Sequence, residues 1–320
     1  MSLRSPLAVV AALVVSIVVP APPAVAVVAD NGATVVKQTR LDDRTYDLTI
    51  NSPAIGGNVP VRLLTPPGWS PTATRTWPVL FLLQGCGDDY TSWTRETDVE
   101  QLSASSDVLI AMPDGGRAGW YSDWWNGGRG GTPGWETFHM TELVQLLERG
   151  YRAGTSRAIA GLSAGGTGAF KYAAKRPGYF KAAASYSGIL STQFVGVPQY
   201  VGATVLREGM SADALWGDDD FQASVWRANN PKELASGLRG TSLYMSYGNG
   251  FTGPLDPGFD YDANERIVGN TSPDFVLRMR LLNIPITVNA YGDGTHTWPY
   301  WQRELRRSWP QLMTALGVPG

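Results

Sequence analysis

The chain has 320 residues, with 26 basic and 28 acidic side chains and a formal net charge of −2, a balance without the basic excess that nucleic-acid binding demands. Its single cysteine, Cys86, excludes an internal disulfide, and with only two histidines it leaves no set of zinc ligands. Hydrophobic residues make up 43% of the sequence, and no internal repeat or low-complexity linker divides it, so one core is expected, a monomer is the expected state and no cofactor is implied.

Met1 to Ala26 reads as a secretory signal peptide: Arg4 precedes an apolar run from Leu7 to Val19, and Ala24-Val25-Ala26 offers an A-x-A cleavage site. The run is shorter than the roughly 20 residues that span a bilayer. A secreted protein with no membrane span is therefore expected, with residues 27–320 as a single domain. Strands at Tyr46 to Asn51 and Val59 to Thr65 read as an antiparallel pair. They are followed by strands at Pro78 to Leu83, Val108 to Met112, Arg157 to Ala160, Ala182 to Tyr186, Thr241 to Tyr247 and Pro285 to Tyr291, the last read as buried. Helical patterns separate most of the later strands, which predicts an α/β fold whose mainly parallel sheet is covered on both faces. An irregular insertion from about 193 to 234 carries Tyr200, Trp216, Phe221 and Trp226 and is expected to cap a site. The acidic stretches Asp218-Asp219-Asp220 and Asp256 to Asp262 lack EF-hand spacing and read as solvated loops without a metal.

Gly161-Leu162-Ser163-Ala164-Gly165 carries the most chemistry. It reads G-x-S-x-G where the strand Arg157 to Ala160 hands over to a helix that stops at Arg176-Pro177-Gly178. A serine on such a strained turn is held above the sheet, and the flanking glycines let strand and helix pass close, which is the nucleophile elbow of an α/β-hydrolase fold. The nucleophile needs a base. His139 lies within a helical pattern over Trp135 to Leu147 and reads as a packed or solvated helix residue. His296 follows the last strand, in the loop after Gly292-Asp293-Gly294-Thr295, where this fold places its base. The orienting acid should come between Ser163 and His296, and Asp256, Asp260, Asp262, Glu265 and Asp274 all lie in that window. The pattern does not choose among them.

Several separated pieces resemble one family. Gly294-Thr295-His296-Thr297-Trp298-Pro299-Tyr300-Trp301 is similar to G-T-H-S-W-x-Y-W of the antigen 85 mycolyltransferases and related actinobacterial esterases of the esterase D type. Tyr121-Ser122-Asp123-Trp124 and Trp135-Glu136-Thr137-Phe138 match its Y-S-D-W and W-E-T-F. Leu82-Leu83-Gln84-Gly85 with Asp88-Asp89-Tyr90-Thr91-Ser92-Trp93 resembles its L-L-D-G and D-D-x-x-G-W. The likeness runs from about Tyr46 to about Leu312 and implies Glu265 as the acid. It also implies an oxyanion hole made by the backbone N–H groups of Cys86 and Ala164. The chain departs from the mycolyltransferases at Gln84, at the shortened loop Gly85-Cys86-Gly87 and at Tyr247, where they keep a cysteine.

The expected function is hydrolysis of a carboxylic ester, small-molecule, lipid or polymer, by Ser163, His296 and Glu265. Gln84, Trp124 and Trp298 are candidate substrate contacts, and Trp120, Trp125 and Trp301 further candidates for an apolar acyl pocket. Acyl transfer to a sugar or glycerol hydroxyl is the alternative that the resemblance implies. A non-catalytic cell-surface binding protein is a remoter one.

Overall fold

The strand signals with apolar residues on both faces, such as Phe81-Leu82-Leu83 and Ala158 to Leu162, build the centre of a sheet, because a strand covered by helices on both sides has no polar face. A computed structural model describes residues 27–258 and 261–319. The expected signal peptide and the candidate acid Asp260 lie outside the described residues. Nine strands form one sheet: β1 (Thr34–Arg40), β2 (Thr45–Ser52), β3 (Gly57–Leu64), β4 (Trp77–Leu83), β5 (Leu109–Pro113), β6 (Ala153–Leu162), β7 (Ala182–Tyr186), β8 (Ser242–Gly248) and β9 (Thr287–Gly292). Their spatial order is β1-β2-β3-β5-β4-β6-β7-β8-β9. β1, β2, β3 and β5 pair antiparallel in succession, and every pair from β5-β4 to β8-β9 is parallel.

One apolar core fills each face. On one, Phe81, Ile159 and Ala183 of the sheet meet Phe170 and Phe275. On the other, Leu80, Leu82 and Ala184 meet Trp309 and Leu312 of the last helix, Trp298–Leu316. Burying each such side chain is worth about 1.5–3 kcal/mol, so both helix layers are held mainly by this contact.

Three elements differ from expectation. β1 was not foreseen: it is a bulged edge strand whose residues are mostly exposed, so it carries no apolar signature. β9 is the opposite edge and is partly exposed, not buried, since only β8 pairs with it. The insertion is largely helical, with helices Val197–Arg207, Ala223–Ala228 and Pro231–Leu234. It packs through Val201, Trp216 and Trp226 onto Trp120, Trp124 and Ala164. Beneath it Lys171 is fully buried, its Nζ donating to Ser122 Oγ (2.5 Å), Trp120 O (3.2 Å) and Asn229 Oδ1 (3.2 Å), while Trp216 Nε1 donates to the same hydroxyl. That knot gives Y-S-D-W a structural purpose. Ser122 ties the insertion to the helix after the elbow, and Asp123 accepts from the Thr137 amide and hydroxyl of W-E-T-F.

Candidate active site

Ser163 sits between β6 and the helix Ala164–Lys175 with φ 51° and ψ −124°, a conformation that an ordinary side chain adopts only under strain. The glycines make the turn possible by close approach. A Cβ at Gly161 would lie 2.3 Å from Gly165 O, and one at Gly165 2.4 Å from Gln84 O, so strand, helix and the loop after β4 leave no room for a methyl.

His296 and Glu265 come from separate elements. Glu265 is in the first turn of the helix Ala263–Leu281, and His296 precedes the helix Trp298–Leu316. Their contact, His296 Nδ1 to Glu265 Oε2, is 2.6 Å, and the Glu265 side chain is fully buried. A buried carboxylate needs compensation, and its other oxygen accepts from Gly248 N (2.6 Å), Ser187 Oγ (2.9 Å) and Tyr291 OH (3.0 Å). Burial and the carboxylate beside it push the Tyr291 phenol well up, so it remains a donor. Trp301 stands edge-on to the imidazole, 4.9 Å between ring centres, and donates from Nε1 to Ser187 Oγ. These contacts hold Nδ1 to the acid, and the buried Nε2 has no hydrogen-bond partner among the described residues.

The other described carboxylates of the window are engaged elsewhere. Asp274 pairs with Lys232. Asp256 accepts from the hydroxyls of Tyr300 and Thr295. Asp262 caps the helix that carries Glu265, accepting from the amides of Asn264 and Glu265 through Oδ1, and takes the His296 backbone N–H (3.2 Å) on Oδ2. It therefore fixes the acid-bearing helix against the histidine loop. Ser187 and Tyr291 escaped the sequence reading because each looks there like an ordinary loop or strand-end residue, and Asp262, a candidate for the acid there, acts on the backbone of His296 rather than on its ring.

Ser163 and His296 line one cavity of about 530 Å³, together with Cys86, Arg117, Arg207, Trp298 and Trp301 among others. The loop 85–87 lies against the serine, since a Cβ at Gly85 would come 3.2 Å from Ser163 Cβ. Ala164, as the first residue of its helix, has an N–H without an intrahelical acceptor. Cys86 is partly exposed rather than wholly enclosed, yet its desolvating surroundings push the thiol up to about 12, against the opposing pull of Arg207. Two expected substrate contacts lie elsewhere. Gln84 is buried with Nε2 donating to Asp88 O (2.8 Å), and Trp124 is buried under the insertion. Trp120 is buried there too, and Trp125 lines a separate depression.

The family model for esterases matches residues 52–312. The chain belongs to the esterase family. Esterase Rv1288 of Mycobacterium tuberculosis is 34% identical to this esterase-family chain over 266 residues, 79% of the chain and 56% of the relative; the chain thus spans little more than half of that relative's length. The diacylglycerol acyltransferase/mycolyltransferase Ag85B of Mycobacterium intracellulare is 32% identical, covering 75% of this chain and 76% of the relative. Among solved structures, Mycobacterium tuberculosis MPT51 superimposes with a TM-score of 0.69 at 22% identity, over 83% of this chain and 96% of that one. A Staphylococcus aureus fluorophosphonate-binding serine hydrolase gives 0.65 at 19%, over 84% and 97%. The fold is that of the α/β-hydrolases. Among the described residues no group of His, Cys, Asp or Glu is arranged to hold a metal ion, and no helix is long and apolar enough to cross a membrane.

The second histidine of this esterase-family chain is held away from the cavity. His139 is buried, with Nε2 donating to Asp114 O (2.8 Å) and Nδ1 accepting from Tyr172 OH (3.0 Å). Burial pushes it down to about 4 from 6.5. Unfolded chains take up this proton as pH falls through 6.5 and folded ones only near 4. Its contribution is therefore intact above pH 6.5 and is lost, by about 3 kcal/mol, between those values. His139→Gln should flatten that part of the stability profile in urea melts from pH 7 to 4, and kcat at pH 7 should stay within about tenfold of wild type. A kcat collapse in folded protein would instead make His139 the base.

Proposed function

We propose that this chain is a secreted serine hydrolase of carboxylic esters that works through an acyl-enzyme. The observation that carries the reading is the 2.6 Å contact of His296 Nδ1 with buried Glu265, together with the shared cavity of His296 and strained Ser163. Ser163 Oγ attacks the ester carbonyl and gives its proton to His296 Nε2, the nitrogen left without a partner. The oxyanion develops against the N–H groups of Cys86 and Ala164, each such donor being worth about 2.7–4 kcal/mol. Collapse of this intermediate breaks the bond to the alcohol, which leaves with the proton from Nε2. Water then enters and attacks the acyl carbon while giving a proton to Nε2, which passes it to Ser163 Oγ as the acyl–serine bond breaks and the acid is released. Glu265 keeps Nδ1 protonated and stabilises the imidazolium in both halves. Trp298 and Trp301 offer apolar surface for the acyl or alcohol part.

Acyl transfer shares the first half, and relatives named as diacylglycerol acyltransferase/mycolyltransferases favour weighing it. Transfer requires an alcohol to be bound and oriented well enough at millimolar concentration to outcompete water at about 55 M. Gln84, at the position where the mycolyltransferases carry an aspartate, has its amide turned to Asp88 O and no access to the cavity, which supports water as the acceptor. With a short acyl ester and millimolar trehalose or glycerol, mass spectrometry should find mainly free acid. Predominance of acylated sugar or acylglycerol would make the protein a transferase.

A further inference from the structure

The cavity that holds Ser163 is charged on one part of its lining and apolar on another. Leu162, Trp298 and Trp301 supply the apolar part, and Arg117 and Arg207 the charged part. The two arginines differ in how their charge is used. Arg117 is committed: Nε bonds Glu208 Oε2 at 2.8 Å, Nη1 donates to Gly87 O at 2.8 Å, and the Gly87 N–H returns a bond to Arg117 O. This exchange locks the loop after β4, with Cys86 in it, to the loop after β5. Arg207 is the last residue of the helix Val197–Arg207, and among the described residues its guanidinium comes no nearer an acid than 4.0 Å, from Nε to Glu208 Oε1. Its side chain is 62% exposed and lines the cavity.

The described acids nearby make their short contacts with other arginines. Glu208 makes its short bond to Arg117, and Asp88, which also lines the cavity, is paired with Arg95 at 2.7 Å. Arg95 is taken up by Asp88, Asp89 and Glu96 and Arg117 by Glu208, which among the described residues leaves Arg207 as the guanidinium of the three without a short acidic contact. A guanidinium with its fork free, next to an ester-cleaving site, matches a carboxylate or phosphate, which it can hold through two parallel hydrogen bonds.

We propose that Arg207, with Arg117 behind it, forms an anion-binding subsite of this cavity, so that the preferred ester bears a carboxylate or phosphate apart from the scissile bond. The inference rests on ester cleavage at Ser163 and adds the class of substrate. An anionic group seated there fixes the carbonyl relative to the serine, and the gain appears in KM more than in kcat.

The test compares charged esters with neutral isosteres on the full-length protein. 4-Acetoxybenzoate and 4-acetoxyphenyl phosphate, set against 4-acetoxybenzamide, place the anion on the alcohol side. Monomethyl terephthalate, set against methyl 4-carbamoylbenzoate, places it on the acyl side. Each kcat/KM is divided by the rate of hydroxide hydrolysis of the same ester, which removes differences in intrinsic reactivity. At least one anionic ester should exceed its neutral partner by about tenfold at low salt. Salt at about 0.5 M should shrink that ratio, because an exposed guanidinium is screened. Arg207→Gln should bring it near unity, and Arg207→Lys should keep part of it. The pair that shows the preference tells which side of the ester lies against Arg207, and the phosphate arm tells which anion is preferred. Wild-type ratios at or below unity in every pair would overturn the proposal, as would an Arg207→Gln variant that keeps the full preference. Turnover of the neutral isosteres would still show ester cleavage, so loss of the anion preference and loss of the esterase reading are separate results.

Discussion

Ser163→Ala and His296→Ala should each lower kcat on a chromogenic ester by about 10⁴ or more, and the double variant should be scarcely slower than either. The expectation of non-additivity follows from geometry. Ser163 is held in a strained conformation at φ 51°, and His296 Nε2 is buried without a partner among the described residues, so each group has little purpose without the other. Ser163→Ala leaves the core untouched, whereas His296→Ala takes one partner from the buried Glu265 carboxylate. Ser163 contributes a hydroxyl at the cavity wall, and the His296 ring packs on Trp301 at its edge. Thermal melts of Ser163→Ala should therefore stay close to wild type while activity vanishes, and His296→Ala should melt lower but remain folded. Independent, multiplying losses would mean that the two residues do not act in one step.

Glu265→Gln should be almost as damaging, about 10⁴ in kcat, because an amide neither stabilises an imidazolium nor fixes which imidazole nitrogen carries the proton. The cost should include stability as well. The carboxylate takes donors from Gly248, Ser187, Tyr291 and His296, and an amide turning its NH2 toward any of them leaves buried donors facing each other. Asp262→Asn is the informative comparison: an asparagine oxygen can still cap the helix, while the His296 backbone contact is weakened. Its kcat should fall far less than that of Glu265→Gln. If Asp262→Asn or Asp256→Asn proves the more harmful in folded protein, Glu265 is not the acid.

Much of this arrangement was legible in the chain because its signals are steric and local. G-x-S-x-G between a strand and a helix specifies an elbow by the space that Gly161 and Gly165 leave, and β2 to β8 announce themselves by apolar patterning. The edges were harder to read. β1 and β9 each pair on one side only: β1, with exposed residues such as Val36, carries no clear alternation and was missed, while β9 was read as a strand but as a buried one. Sequence spacing also could not rank the carboxylates, since what distinguishes Glu265 is a set of donors from β8, β9 and the residue that follows β7, brought together only by the sheet. The resemblance pointed to Glu265, and the fold puts it on the ring of His296. The same resemblance drew attention to Gln84 as a substrate contact, and Trp124 was a candidate for its place beside the catalytic loops. Both are consumed by local packing, because a residue aligned with a binding residue still turns where its own neighbours allow.

The most direct test of the central claim is stoichiometric labelling with a fluorophosphonate, followed by peptide mapping. One equivalent should abolish ester hydrolysis and appear on the peptide containing Gly161 to Gly165, at Ser163, with no labelling of Ser163→Ala or of protein unfolded beforehand. Label on any other residue, or full modification of Ser163 with hydrolysis intact, would contradict the account.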